Sequence, residues 1–261
     1  MGSVQEIAAP QSSYFAFLEG PVWVGSLGTL FFSDNASSPT ERIWKLVPPS
    51  TTPEVFMEAS GSNGLAIDND DQLIVADQRD RQITRVDNAG ATVIDTLVGP
   101  GSYKPNDLIV RSDGNLYFTD PDTGFYHLPP SGELSAANKS VSRPNGTVLS
   151  PDENTLYVGD VGNRQIHAFP IGEDGSVGGG DVFVTAQNQT VDGMAVDCAG
   201  NLYAGTANGV EVFSPSGEPL GIVPTGESSN ATFGGSDRKT LYVTSRALLK
   251  AVTLAVPGLP D

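Results

Sequence analysis

Six polar residues, Glu19, Asn63, Asn106, Asn145, Asp192 and Asn230, recur along the chain at intervals of 38 to 47 residues. Glu19, Asp192 and the carboxamides between them form an all-oxygen donor set without sulfur or imidazole. Hard divalent cations prefer such donors: two carboxylates balance a 2+ charge, and amide carbonyls add neutral coordination. The set favours Ca2+, with Mg2+, Mn2+, Zn2+ and Fe2+ as alternatives. Any one of these asparagines alone is an ordinary turn residue. Their recurrence is what sets them apart. A single oxygen-ligated cation polarises a carbonyl and stabilises an oxyanion. Hydrolysis also needs a base to activate water, and Asp192 is the candidate, one oxygen toward the metal and the other toward water. A Ser-His-Asp arrangement has little support, because His127 and His167 are the only histidines and no GxSxG segment occurs. His127, in FTDPDTGFYH, reads either as a plain strand residue or as a substrate contact near a funnel mouth.

Residues so far apart converge only if the elements carrying them repeat. Each of the six is followed 14 or 15 positions later by the end of an aromatic or β-branched run. The runs are LFFSD, LIVAD, LYFTD, LYVGD, LYAGT and LYVTS. A strand-built period of roughly 40 residues predicts an all-β, six-bladed β-propeller. Its four-stranded antiparallel blades surround a central channel, and equivalent strand starts face one axis. Turns rich in Asp, Gly and Asn separate the first two strands of a blade, as at Asn69-Asp70-Asp71 and Ser112-Asp113-Gly114-Asn115. Third strands are expected at residues 42–46, 82–86, 124–128, 164–169, 209–213 and 248–252. Outer strands are expected at 54–57, 92–97, 181–185 and 220–223. The last unit runs out of residues after its third strand, so residues 4–7 are expected to close the ring and cover its open edge. Blade three is expected to have the weakest fourth strand, since Pro129, Pro130, Gly132 and residues 136–138 read as an irregular loop.

Nothing in the 261 residues marks a domain boundary, and one propeller domain over 1–261 is the expectation. A net charge of −17 argues against nucleic acid and anionic membranes as partners. A small-molecule substrate and a monomer or weak dimer are the expectation. The single cysteine, Cys198, excludes an internal disulfide framework and a thiolate metal cluster, and reads as a buried or turn thiol. No signal peptide or membrane-spanning run is evident, but Met1-Gly2-Ser3 is compatible with a cloning remnant. Cytoplasmic and exported locations therefore both stay open. Glycosylation sequons begin at Asn35, Asn138, Asn145, Asn188 and Asn230.

Several segments together resemble the senescence marker protein/gluconolactonase family of six-bladed propellers. They are EGPVW at 19–23, SNGLAID at 62–68, KPNDL at 104–108, FTDP at 118–121, RPNG at 143–146 and DGMAVD at 192–197. They stand in register with the repeat and span most of the chain. The resemblance implies a divalent metal held by Glu19, Asn145 and Asp192, with Asn106 as a fourth ligand or a substrate contact. It implies acid/base catalysis by Asp192 and hydrolysis of sugar lactones. One departure stands out: where vertebrate-like members carry arginine two residues before the PND-type asparagine, this chain has Lys104, a point-charge donor without arginine's fork. The resulting expectation is a metal-dependent lactonase with Glu19, Asn106, Asn145 and Asp192 on the metal and Asn63, Lys104, Asn106 and His127 toward substrate. The alternatives are an organophosphate or aryl ester hydrolase on the same cation, and a non-catalytic ligand-binding propeller with a structural cation. A metal-free propeller of the strictosidine-synthase-like kind fits the Asn145/Asp192 combination poorly.

Overall fold

The second strand of each repeat is the most apolar segment of its unit, and burial on both faces explains why. In the computed structural model, which describes residues 2–8, 15–35, 41–58, 60–138 and 141–260, strands such as Leu73–Asp77 and Leu116–Asp120 are buried throughout. Alternate side chains leave a strand on opposite faces. Thus Leu116 and Phe118 pack toward blade two while Tyr117 packs toward blade four. Each sheet is a slab with apolar side chains on both faces. Six hydrophobic clusters result among the described residues, one at each junction between successive blades.

These slabs are six four-stranded antiparallel sheets, and five of them read in simple sequence order. The sixth is Asn230–Gly234, Thr240–Ser245, Leu248–Thr253 and, as its outer strand, the N-terminal Gln5–Ala8. The chain start therefore closes the ring, as the short last repeat requires. The innermost strands are Leu18–Val24, Ser62–Ile67, Leu108–Val110, Pro144–Leu149, Met194–Val196 and Asn230–Gly234, and they contact one another in a closed circuit. The result is an all-β six-bladed propeller.

One expectation is corrected in part. Blade three has a fourth strand, Ser135–Asn138, paired antiparallel to Gly124–Leu128 across an irregular register. The prolines and Gly132 that suggested a loop only form the turn leading into it. Cys198 proves to be an exposed turn residue, its N–H donating to the Pro257 carbonyl at 2.9 Å. Among the described residues no helix is long and apolar enough to cross a membrane. The sequons that begin at Asn35 and Asn138 run into residues outside the described ones, as does Met1.

Candidate metal and catalytic site

The segment leading into each ring position needs an anchor, because a loop cannot hold a side chain by itself. In blades one, three and four that anchor is the Asp ending the second strand. Asp34 accepts the N–H groups of Ala16 and Phe17 (both 3.1 Å), just ahead of Glu19. Asp120 accepts the N–H of Lys104 (2.8 Å), ahead of Asn106. Asp160 accepts those of Ser142 (3.0 Å) and Arg143 (3.2 Å), ahead of Asn145. In blade five Glu211, on the third strand, takes the N–H groups of Gln187 and Asn188 ahead of Asp192. Burial pushes the Asp160 carboxyl up, but the N–H groups and the Asn163 side chain outweigh it and hold it below the usual carboxylate range. The repeated Asp of the LYFTD-type segment is thus a loop lock.

The ring residues then meet through their backbones. The Gly64 N–H donates to the Asn106 carbonyl at 2.7 Å, and the Gly193 N–H to the Ser229 carbonyl at 2.6 Å. Thr119 accepts the Asn106 N–H on its carbonyl (2.8 Å) and gives its hydroxyl to the Asn145 carbonyl (2.5 Å). Ser229 gives its hydroxyl to the Leu18 carbonyl (2.6 Å) and closes the circle from blade six to blade one. The approach is too close for side chains at the following position. A Cβ on Gly146 would stand 2.2 Å from the Asp192 carbonyl oxygen, and one on Gly20 2.3 Å from that of Asn63. In blades one, two and four the register shifts at this point, between Glu19 and Val22, Ser62 and Leu65, and Pro144 and Thr147. Such bulges re-aim side chains, whereas Asn230 in blade six pairs regularly with Thr244.

Four of the six side chains, Glu19, Asn63, Asn106 and Asn230, are buried to within 9% of full exclusion from solvent; Asn145 and Asp192 are half-buried. Glu19 and Asp192 come together with a third acid, Asp107. Burial raises the Glu19 carboxyl well above its ordinary range, and the nearby charges of Asp192 and Asp107 add to it. The Asp192 carboxyl is raised by burial, then by Asp107 and Glu227, and relieved by a hydrogen bond with Asn145. Burial pushes Asp107 up to about 7, against N–H donation from Thr147 and Leu108 and a bond with Asn230. Asp192 Oδ1 is buried without a hydrogen-bond partner. Buried charges need pairing, and a bare trio of acids lacks it. Among the described residues, no group of three or more Asp, Glu, His or Cys side chains is placed to hold a metal ion. Any cation here would therefore draw on the carboxamides as well as on the acids.

Asp107 escapes a reading built on the six ring positions alone. Its signal lies one residue further on: glycine follows the ring residue in blades one, two, four and five, while Asp107 follows it in blade three and Ala231 in blade six. Asn230 bonds to this acid and so supports Asp107 from the opposite blade. Lys104 is exposed at the ring end, held by its backbone to Asp120. His127 has partners of its own within blade three. It pairs with Tyr117 near the end of blade three remote from Asn106, stacks on that ring at 5.0 Å, and bonds through Nε2 to Asn115 Oδ1 at 2.6 Å. Burial lowers its pKa. Beyond Asp107 and Asn230 the channel widens into a cavity of about 590 Å³, lined by Trp23, Leu65, Met194 and Phe233 among others.

Comparison with known proteins agrees with this architecture. Residues 17–247 match the profile of the family described as the SMP-30/Gluconolactonase/LRE-like region. A gluconolactonase of Zymomonas mobilis is 30% identical over 273 residues, covering 87% of this chain and 75% of its own. A pentonolactonase of Haloferax volcanii is 28% identical over 242 residues, covering 87% of this chain and 80% of its own. Among solved structures, a gluconolactonase from Xanthomonas campestris superposes with a TM-score of 0.86 at 30% identity, covering 97% of this chain and 89% of that one.

Proposed function

Because the chain belongs to the SMP-30/gluconolactonase/LRE-like family, we infer that it is a lactonase acting on sugar lactones, with a divalent cation at the ring and Asp192 as general base. The observation that carries the metal and the mechanism is the buried, partnerless Asp192 Oδ1 beside Glu19 and Asp107. Glu19, Asn106, Asn145 and Asp192 would hold the cation, and this hard-oxygen set fits Ca2+ first, then Mg2+, Mn2+, Zn2+ or Fe2+. When bound, the ion supplies Lewis acidity toward the lactone carbonyl and charge balance for the buried acids.

The chain's own residues do the rest. Asn145 holds the Asp192 carboxylate by a hydrogen bond. Asp192 takes a proton from a water as that water adds to the lactone carbonyl carbon. The ring C–O bond then breaks, and the same proton passes to the departing ring oxygen, which leaves as the hydroxyl of the open acid. Burial raises the proton affinity of Asp192, and a bound cation would lower it again and keep the carboxylate ionised, ready to accept the proton. Asn63 and Lys104 contact the sugar, and Asn106 orients the carbonyl. The closed circle of backbone contacts keeps these groups from drifting, which matters because misplacement by an ångström costs orders of magnitude in rate.

The test is proton release from glucono-1,5-lactone and a pentonolactone, followed with a pH indicator. Chelation should abolish turnover and added metal restore it. Asp192→Asn should lower kcat by roughly 10²–10⁴-fold with an unchanged circular dichroism spectrum. Full activity in both the stripped protein and the variant would sink the mechanism.

A further inference from the structure

Blades three and four repeat one short sequence at the ring, Lys104-Pro105-Asn106 and Arg143-Pro144-Asn145. The matching place in the other blades holds Phe17, Gly61, Thr190 or Ser228. Proline confines the residue before it to extended backbone and fixes its own φ near −65°. Each cation therefore stands on a stiffened approach two residues ahead of its ring asparagine. Both prolines are buried and both cations exposed, so the ring anchors each segment while the charge stands at the mouth.

The two segments are neighbours. Thr119 bridges them, bonded to Asn106 on one side and to Asn145 on the other. Asp120 and Asp160 fix the backbones of Lys104 and Arg143 themselves. Other cations of this face are engaged by carboxylates: Arg42 by Glu58, Arg79 by Glu41, Arg246 by Glu227. Lys104 and Arg143 have no such partner among the described residues. Arg81 and Arg164 are exposed as well, but they stand beside the third strands Gln82–Asp87 and Gln165–Pro170, farther from the axis. In a chain of net charge −17, two cations on neighbouring blades without a carboxylate partner among the described residues set this place apart.

We propose that Lys104 and Arg143 form a recognition site for an anionic substituent of the lactone, a phosphate, sulfonate or carboxylate remote from the reacting carbonyl. The guanidinium fork engages two oxygens of such a group and the ammonium adds a point charge. The preferred substrates are then anionic sugar lactones. This rests on the lactonase reading above and adds Arg143 to it as a specificity determinant.

The experiment compares kcat/KM of the metal-loaded protein on glucono-1,5-lactone and on its 6-phosphorylated counterpart, at low salt and at about 0.5 M, where charges are screened within a few ångströms. The anionic-to-neutral ratio should exceed one at low salt and fall as salt rises. Arg143→Gln should lower it about tenfold or more through KM, and Arg143→Lys should recover most of the loss. A ratio indifferent to both salt and Arg143→Gln overturns the proposal and leaves the lactonase reading standing. Failure of the wild type to turn over either lactone overturns the lactonase reading itself, and this one with it. Should the variant not fold, the salt response of the wild type decides alone.

Discussion

Three acids drawn together in a buried setting are a liability that a bound cation would relieve, and the protonation of Asp107 exposes it. Its folded-state pKa of about 7 lies above the ordinary carboxylate value, so between about pH 4 and pH 7 the folded, metal-free protein binds more protons than the unfolded chain. Stability of the stripped protein must then fall as pH rises through that window. Asp107→Asn removes the charge and keeps an oxygen to accept the Thr147 N–H. Chelated Asp107→Asn should therefore melt higher than chelated wild type at pH 8, and the gap should close toward pH 4. Thermal unfolding across that range is the measurement. A gap that does not change with pH would mean the acid cluster carries no such penalty.

Strands and loops explain how the acids are held. The second strand of a blade seals both neighbouring interfaces with its apolar middle, and in blades one, three and four its terminal Asp also ties down the loop before the ring residue. Asp160 is the most heavily used of these locks, accepting the N–H groups of Ser142, Arg143 and Asn163 and the Asn163 side chain. Asp160→Ala orphans those donors in a mostly buried setting. The expected cost is about 1–3 kcal/mol of stability. Turnover should drop further than stability alone explains, because Asn145 is two residues from the freed segment. Denaturant unfolding and steady-state kinetics on the same preparation separate the two effects. Unchanged kcat in a destabilised protein would show that the ring holds Asn145 without the lock.

For the molecule as a whole, closure is the decisive event. Gln5–Ala8 pairs with Leu248–Thr253, Ile7 packs on the cluster between blades six and one, and Trp23 stacks on Tyr242 at 5.9 Å across that seam. Without the N-terminal strand, blade six ends in an open edge and the seam loses its outer cover. Removal of residues 2–8 should lower the melting temperature by about 5 °C or more, at 2–4 °C per kcal/mol for a chain of this size. Proteolysis should then begin in blade six. Cleavage spread evenly over all blades would instead place the weak point elsewhere.

The repeat period, the strands and the six ring positions are legible in the sequence, because each is a local pattern of side-chain alternation and turn residues restated in every blade. The closing role of the N-terminus follows from the same count, since the last repeat is one strand short. Glu19 and Asp192 stand out by their types, two acids among amides, and Asn145 is singled out by the family resemblance of its RPNG segment. Tertiary structure alone decided which of the six face one another. Bulges in blades one, two and four re-aim Glu19, Asn63 and Asn145, and the regular pairing of Asn230 turns it toward Asp107. Asp107 enters the cluster from a position where most blades have glycine, and His127 is engaged within its own blade, paired with Tyr117 and bonded to Asn115. A one-residue change of register moves a side chain to the other face, and contacts across the ring join residues more than a hundred positions apart. Neither effect is written in a local pattern.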